Sequence, residues 1–129
     1  MPAQLSLATL VAANLEGANL QGAELFKANL AEANLAETNP AEANLTGANL
    51  AEANLTGAIF ARANLYKTNL QGANLQWTNF YGANLQGANL KGAILEGAEL
   101  ERANLTGTIL EGQDIATLTK SSNEDSDES

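Results

Sequence analysis

The side chains that could do acid or base chemistry are glutamates, and the densest group of them is Glu96, Glu99 and Glu101. Catalysis by paired carboxylates needs one carboxyl shielded from water, so that its pKa rises towards neutrality. Nothing around these glutamates predicts such shielding. The chain also has no histidine and no cysteine, so a nucleophile cannot be matched with an activating base. We predict that the protein is not an enzyme and has no catalytic residues, no cofactor and no small-molecule substrate.

Two further kinds of ligand site are disfavoured by the residue types present. Calcium-binding β-rolls use aspartates in glycine-rich repeats, whereas Asp114 is the only aspartate before residue 121. Ice-binding solenoids present flat ranks of threonine, but Thr46, Thr56 and Thr106 are scattered. We therefore predict no metal site, and ice binding, like catalysis, remains only a minor alternative.

Four aromatic residues are the best candidates for a binding surface. Phe26 and Tyr66 each precede a lysine, and Trp77 and Tyr81 lie four residues apart. Exposed aromatic side chains commonly anchor protein partners, because each buries a large area at low entropic cost. Phe26, Tyr66, Trp77 and Tyr81 are therefore the candidate protein-contact patch. The interpretation that the sequence favours over it is that these are isolated aromatics that cover neighbouring backbone.

The elements that must position these side chains follow a five-residue period. Of the 23 positions that are multiples of five, from Leu5 to Ile115, 19 are leucine. A small residue, usually alanine, lies two positions before each, and all 11 glycines lie two positions after one. In an α-helix these leucines would spiral around the axis, and in a flat strand they would alternate between faces. A bent ribbon wound as a solenoid is the structure that buries them all.

The exceptions to leucine indicate how many pentads make one coil. With four pentads per coil, residues 20 apart lie one above another, and Pro40, Phe60 and Phe80 become neighbours in one column. Three or five pentads would scatter them. Large residues are expected to cluster where the core widens locally.

Finer features follow from the repeat unit. Each corner is predicted to be a four-residue β-turn whose third residue is the glycine position. We expect type II turns where glycine occupies it and type I turns where Glu32, Trp77 or another residue does. Asparagine columns should form side-chain ladders between coils, and threonines that face inward should donate a hydrogen bond to a nearby carbonyl.

Runs such as Ala43-Asn44-Leu45-Thr46-Gly47 and Ala73-Asn74-Leu75-Gln76-Trp77 resemble the A(D/N)LXX units of pentapeptide-repeat proteins, which are numerous in cyanobacteria. The resemblance covers about residues 3–115. It implies an all-β fold, the right-handed quadrilateral β-helix, with about six coils of four pentads.

Three segments follow from this reading. Residues 3–115 are predicted to form the β-helix, and residues 1–12 an N-terminal cap or irregular first coil. Residues 116–129 should form a C-terminal extension that ends in a disordered acidic tail.

Net charge and hydropathy limit the kinds of partner and the location that we expect. We find no signal peptide and no apolar run long enough to span a membrane, so we expect a cytoplasmic protein without membrane insertion. The favoured function is a structural or protein-interaction module with an unidentified protein partner, present as a monomer or a weak end-to-end dimer. No direct nucleic-acid binding is expected at a net charge of −9.

The resemblance also supplies an alternative function. Some acidic, dimeric pentapeptide-repeat rods imitate B-form DNA and bind DNA gyrase. A duplex mimic needs negative charge along its whole length, but between Glu52 and Glu96 this chain has no acidic residue and three basic ones. This alternative is therefore disfavoured.

Overall fold

The computed structural model describes residues 2–120, and its regular structure is a ladder of single-residue bridges. Sixteen parallel bridges join residues that lie 20 apart, from Gln4 with Glu24 to Asn84 with Asn104. Within this described part, the series omits only the bridge between Asn39 and Ile59. Proline has no N–H. Pro40 therefore cannot donate the hydrogen bond that leucine makes at this position in other pentads, as Leu20 does to the Asn39 carbonyl. The predicted register of 20 residues is the register observed.

The bridges form because each extended segment bonds to segments on both sides. The Asn64 N–H donates to the Ala43 carbonyl at 2.9 Å, and the Leu65 N–H donates to the Asn84 carbonyl at 2.7 Å. The same pair of bonds recurs pentad after pentad. The buried backbone is thereby satisfied without long strands.

The corners are four-residue turns, as predicted, but their conformation corrects the expected mixture of types. At one corner the Thr68 N–H donates to the Leu65 carbonyl at 3.0 Å, and the third residue, Lys67, has a φ of 55°. Positive φ occurs at the third position whether or not it is glycine, so the prediction of type I turns at Glu32 and Trp77 is wrong. The reason is the ladder, since the Lys67 N–H must reach the Gln86 carbonyl, at 2.9 Å. That bond offsets the cost of a left-handed backbone.

The core is a column of leucine and alanine side chains in which the exceptional residues meet. Phe60 and Phe80 are buried and stacked, with ring centroids 5.4 Å apart. Thr38, Thr68 and Thr78 are also buried, and each hydroxyl donates to a backbone carbonyl at 2.7–2.9 Å, as expected. In the described part, no buried side-chain nitrogen or oxygen lacks a partner.

The asparagines act mainly within their own pentad, and the expected side-chain ladders form only in part. Asn79 Oδ1 accepts the Tyr81 N–H at 2.9 Å, and most other asparagines make the equivalent bond to the residue two positions on. Direct asparagine contacts between repeats are long, 3.4 Å from Asn84 Nδ2 to Asn64 Oδ1. The side chain thus closes the corner that follows it, in the manner of an Asx turn.

The two ends differ. Residues 4–19 form the same bridges as later pentads, but their inward leucines are only half-buried. At the other end, helix α1, Ile115–Thr119, packs Ile115 against the core. A separate N-terminal cap stays a prediction, and the predicted disordered tail, residues 121–129, lies outside the described residues. In the part that the structure describes, no helix is long and apolar enough to cross a membrane.

Candidate protein-contact face

Trp77 and Tyr81 lie on either side of one short extended segment. Between them Thr78 and Phe80 point into the core, and Asn79 points outward. A bridge places Ile59 next to Asn79 in the neighbouring repeat. We call the surface formed by Ile59, Trp77, Asn79 and Tyr81 the aromatic face.

Two apolar side chains of the aromatic face are exposed. Ile59 is 42% exposed and Trp77 51%, while Tyr81 is half-buried. The Arg62 guanidinium carbon lies 5.6 Å from the centre of the Tyr81 ring, a cation–π contact. Arg62 and Tyr81 are therefore in contact at the corner that follows Asn79.

The support beneath this face is well packed. Phe60 and Phe80, the stacked pair, follow Ile59 and Asn79 directly in the chain. The Thr78 hydroxyl donates to the Leu55 carbonyl at 2.9 Å. Because packed core and hydrogen bonds hold the backbone beneath this face, that backbone needs no ordering when a partner binds.

The position of Trp77 depends on a glycine in the next repeat. Trp77 has a φ of 61°, and its ring lies over Gly97, so that a Cβ at Gly97 would overlap the ring. Similar contacts place the Lys67 side chain over Gly87 and the Arg62 side chain over Gly82. A long side chain at a corner is thus accommodated by a glycine 20 residues later.

Replacing Gly97 by alanine should displace the indole ring and destabilise the fold more than the same change at Gly92. Both glycines have positive φ, +73° and +74°, so both substitutions cost about 1–2 kcal/mol in backbone strain. A Cβ at Gly92 meets only backbone atoms, at 3.8 Å or more. We expect Gly97→Ala to cost at least about 1 kcal/mol more than Gly92→Ala in urea unfolding.

A double-mutant cycle checks the cause of that difference. In a Trp77→Gly background, Gly97→Ala should cost about as much as Gly92→Ala. An excess cost that persists without the indole ring would show that the contact between Trp77 and Gly97 is not the reason.

Phe26 and Tyr66 lie elsewhere, on a different corner edge of the solenoid. The Lys27 ammonium lies 5.3 Å from the centre of the Phe26 ring, and the Lys67 ammonium 5.4 Å from that of Tyr66. The two pairs are 40 residues apart, which is two register repeats. The four predicted contact residues thus form two separate groups, and their role in binding stays a prediction.

Ile59 is the contributor to the aromatic face that the sequence reasoning missed. It occupies the outward position that asparagine fills in most pentads, as Ile94 and Ile109 also do. Each is among the exposed large hydrophobic residues. An isoleucine at the asparagine position is a signal that could have identified it.

The glutamates considered for catalysis lie on the outer surface. Glu96 Oε1 accepts a hydrogen bond from Gln76 Nε2 at 3.1 Å, and Glu99 is exposed on the outward column that contains Asn79. Glu101 borders an open cleft of about 260 Å³ beside α1. Across residues 2–120, no group of three or more His, Cys, Asp or Glu side chains could hold a metal ion.

Comparison with known proteins identifies the repeat. The family described as "Pentapeptide repeats" matches in eight copies, over residues 3–39, 41–76 and 73–112. A pentapeptide-repeat protein, Rfr23, from the cyanobacterium Cyanothece 51142 is 38% identical, with a TM-score of 0.67; the match covers 74% of this chain and 82% of that one. A search of curated proteins gave no match.

A second solved structure is similar in fold only. QnrB1, a plasmid-mediated fluoroquinolone resistance protein, has a TM-score of 0.75 at 19% identity, over 88% of this chain and 58% of that one. Similarity to these repeat structures identifies the solenoid as a β-helix of their type.

Proposed function

The chain belongs to the pentapeptide-repeat family, and we propose that it is a non-enzymatic module whose aromatic face binds a partner protein. In this proposal residues 3–115 form a right-handed quadrilateral β-helix of about six coils of four pentads each. The solenoid serves as a rigid support. The observation that carries the proposal is the grouping of Ile59, Trp77 and Tyr81 on one side of the solenoid.

The composition of this face favours a protein partner. Tryptophan, tyrosine and arginine are the residues most enriched at the energetic centres of protein interfaces. Here Trp77, Tyr81 and Arg62 come from adjacent corners, with Ile59 between them. An apolar centre with a cationic border suits a partner that presents an apolar side chain beside a carboxylate.

The similarity to QnrB1 does not support the DNA-mimic alternative. The chain is only 19% identical to this fluoroquinolone resistance protein, so the similarity concerns the fold alone. The acid-free stretch between Glu52 and Glu96 still interrupts the negative charge that a duplex mimic needs.

The test replaces the face with residues that the repeat itself uses at each position. The variant Ile59→Asn, Trp77→Gly, Tyr81→Gln keeps the inward residues, and it should fold like the wild type. With each immobilised protein exposed to lysate of the source organism, we expect one protein to be retained by the wild type. Its apparent affinity for the variant, measured with the purified partner, should be at least about tenfold lower, equivalent to 1.4 kcal/mol.

The matched control is Phe26→Thr with Tyr66→Thr, since Thr46 already occupies that edge. The control should bind like the wild type. Equal retention of the partner by the three-residue variant, or its loss from the control alone, would contradict the assignment to the aromatic face.

A further inference from the structure

We propose that the N-terminal end of the solenoid binds the same end of a second copy of this chain, head to head. The proposal is independent of the aromatic face. It rests on backbone groups, apolar exposure and charge at residues 2–20.

The backbone at this end has unused hydrogen-bonding groups that all point the same way. In the second repeat, Asn29 donates its N–H to the Ala8 carbonyl at 2.8 Å and accepts the Leu10 N–H at 2.7 Å. Both groups of Asn29 thus point towards the N-terminal end. Thr9 is the equivalent residue 20 positions earlier, in the first repeat. In the part of the chain that the structure describes, the N–H and the carbonyl of Thr9 have no partner. The same holds for Gln4, Asn14 and Asn19.

This arrangement matches a second copy in an antiparallel orientation. In an antiparallel pair, two facing residues exchange two N–H···O bonds, and each offers its donor and acceptor on the same side. A two-fold axis perpendicular to the solenoid makes facing segments run antiparallel. Each outward residue of the first repeat can then pair with its counterpart in the other copy, so the interface is isologous and closed.

Apolar exposure adds a driving force at the same end. Leu5, Leu10 and Leu15 are half-buried, whereas the leucines at this position are buried from Leu20 to Leu90. Contact with a second copy would remove this leucine surface from water.

Charge opposes the contact only weakly. The whole chain has a net charge of −9, but Glu16 is the only ionisable side chain among residues 2–20. Each copy therefore brings one ionisable side chain, Glu16, to the proposed interface, and screening reduces the repulsion between the two carboxylates.

The C-terminal end is a poorer candidate because the chain partly covers it. Helix α1 packs Ile115 against the core, and the Gly97 N–H donates to the Thr119 carbonyl at 2.6 Å. Self-association is thus directed to the first repeat.

The experiment measures self-association of the full chain, tagged at the C-terminus, by sedimentation equilibrium up to about 1 mM. The test variant is Gln4→Glu with Thr9→Glu. Both residues are exposed, and glutamate already occupies the same position of the pentad as Glu24 and Glu99, so the fold should tolerate it. Across the two-fold axis the new carboxylates repel, and dimerisation should weaken at least about tenfold. The control, Gln71→Glu with Gln86→Glu, adds the same charge away from the end and should dimerise like the wild type.

Each outcome decides the proposal. A dimer weakened by the test variant and not by the control supports it, and so does amide-exchange protection of Thr9 and Asn14 that increases with concentration. A wild type that is monomeric at the highest concentration overturns it. So does a dimer that survives Gln4→Glu with Thr9→Glu, because that dimer uses another surface.

Discussion

Leu75→Asp should unfold the central repeats, with a loss of unfolding free energy of more than about 4 kcal/mol. Leu75 is fully buried in the middle of the leucine column. An aspartate there would be ionised without a partner in the core, or neutral with unsatisfied oxygens, and either state is costly. Because each repeat supports the next through the ladder, the damage should spread to its neighbours. Loss of the β-type circular-dichroism signal and of urea-unfolding cooperativity would record it.

The control for that experiment follows from the hydrogen bonds. Gln76 is adjacent to Leu75, but its side chain donates to Glu96, so aspartate at residue 76 would place two carboxylates together. Gln86 is exposed and occupies the equivalent outward position of a later pentad. Gln86→Asp should change the unfolding free energy by less than about 0.5 kcal/mol. A Leu75→Asp protein as stable as Gln86→Asp would contradict the inward placement of the leucines.

Phe80→Ala should lower the unfolding free energy by about 3–5 kcal/mol. The substitution removes half of the stacked pair and leaves a cavity beside Phe60, with the aromatic face directly outside it. Phe80→Leu should cost much less, because Leu20 and Leu100 occupy the same column. Urea unfolding of the three proteins measures the difference.

Phe26→Ala, the same substitution at an exposed position, is the control for Phe80→Ala. Phe26 is 39% exposed and contacts Lys27 through a cation–π interaction, so Phe26→Ala should cost about 1 kcal/mol or less. Equal losses at Phe26 and Phe80 would mean that Phe80 does not lie in a packed core.

The 20-residue register could be predicted because a few residues depart from the leucine pattern at a spacing of 20. Pro40, Phe60 and Phe80 are exceptions to a nearly uniform column, and uniform leucine alone would not have chosen between three, four and five pentads. The stacked rings and the bridge missing at Pro40 agree with that reasoning. Repetition made the inference strong, since an error in phase would have misplaced every inward residue at once.

The corners and the asparagines depart from the prediction, because local propensity does not decide their conformation. Type I turns at Glu32 and Trp77 would satisfy side-chain preference, but they would break the bond from the third residue to the neighbouring repeat. For asparagine, the N–H two positions on lies nearer than the next asparagine, so the short-range bond is made. In both cases the ladder geometry decided the outcome.

The candidate site was predicted in part. Trp77 and Tyr81 could be placed near each other from the register, whereas Ile59 was overlooked because a single isoleucine is unremarkable without its neighbours. The contact between Trp77 and Gly97 cannot be predicted from the sequence, since it depends on the direction in which the indole ring leaves the corner.

The most direct test of the 20-residue register is a measurement of scalar couplings across backbone hydrogen bonds in isotopically labelled protein. The Asn64 amide nitrogen should couple to the Ala43 carbonyl carbon, and the Leu65 amide nitrogen to that of Asn84. Both couplings are expected. Twenty residues later, the Asn84 amide nitrogen should likewise couple to the Ala63 carbonyl carbon. Couplings from these amides to carbonyls four residues earlier, as in an α-helix, or to residues at another spacing, would contradict the fold and both proposed interfaces.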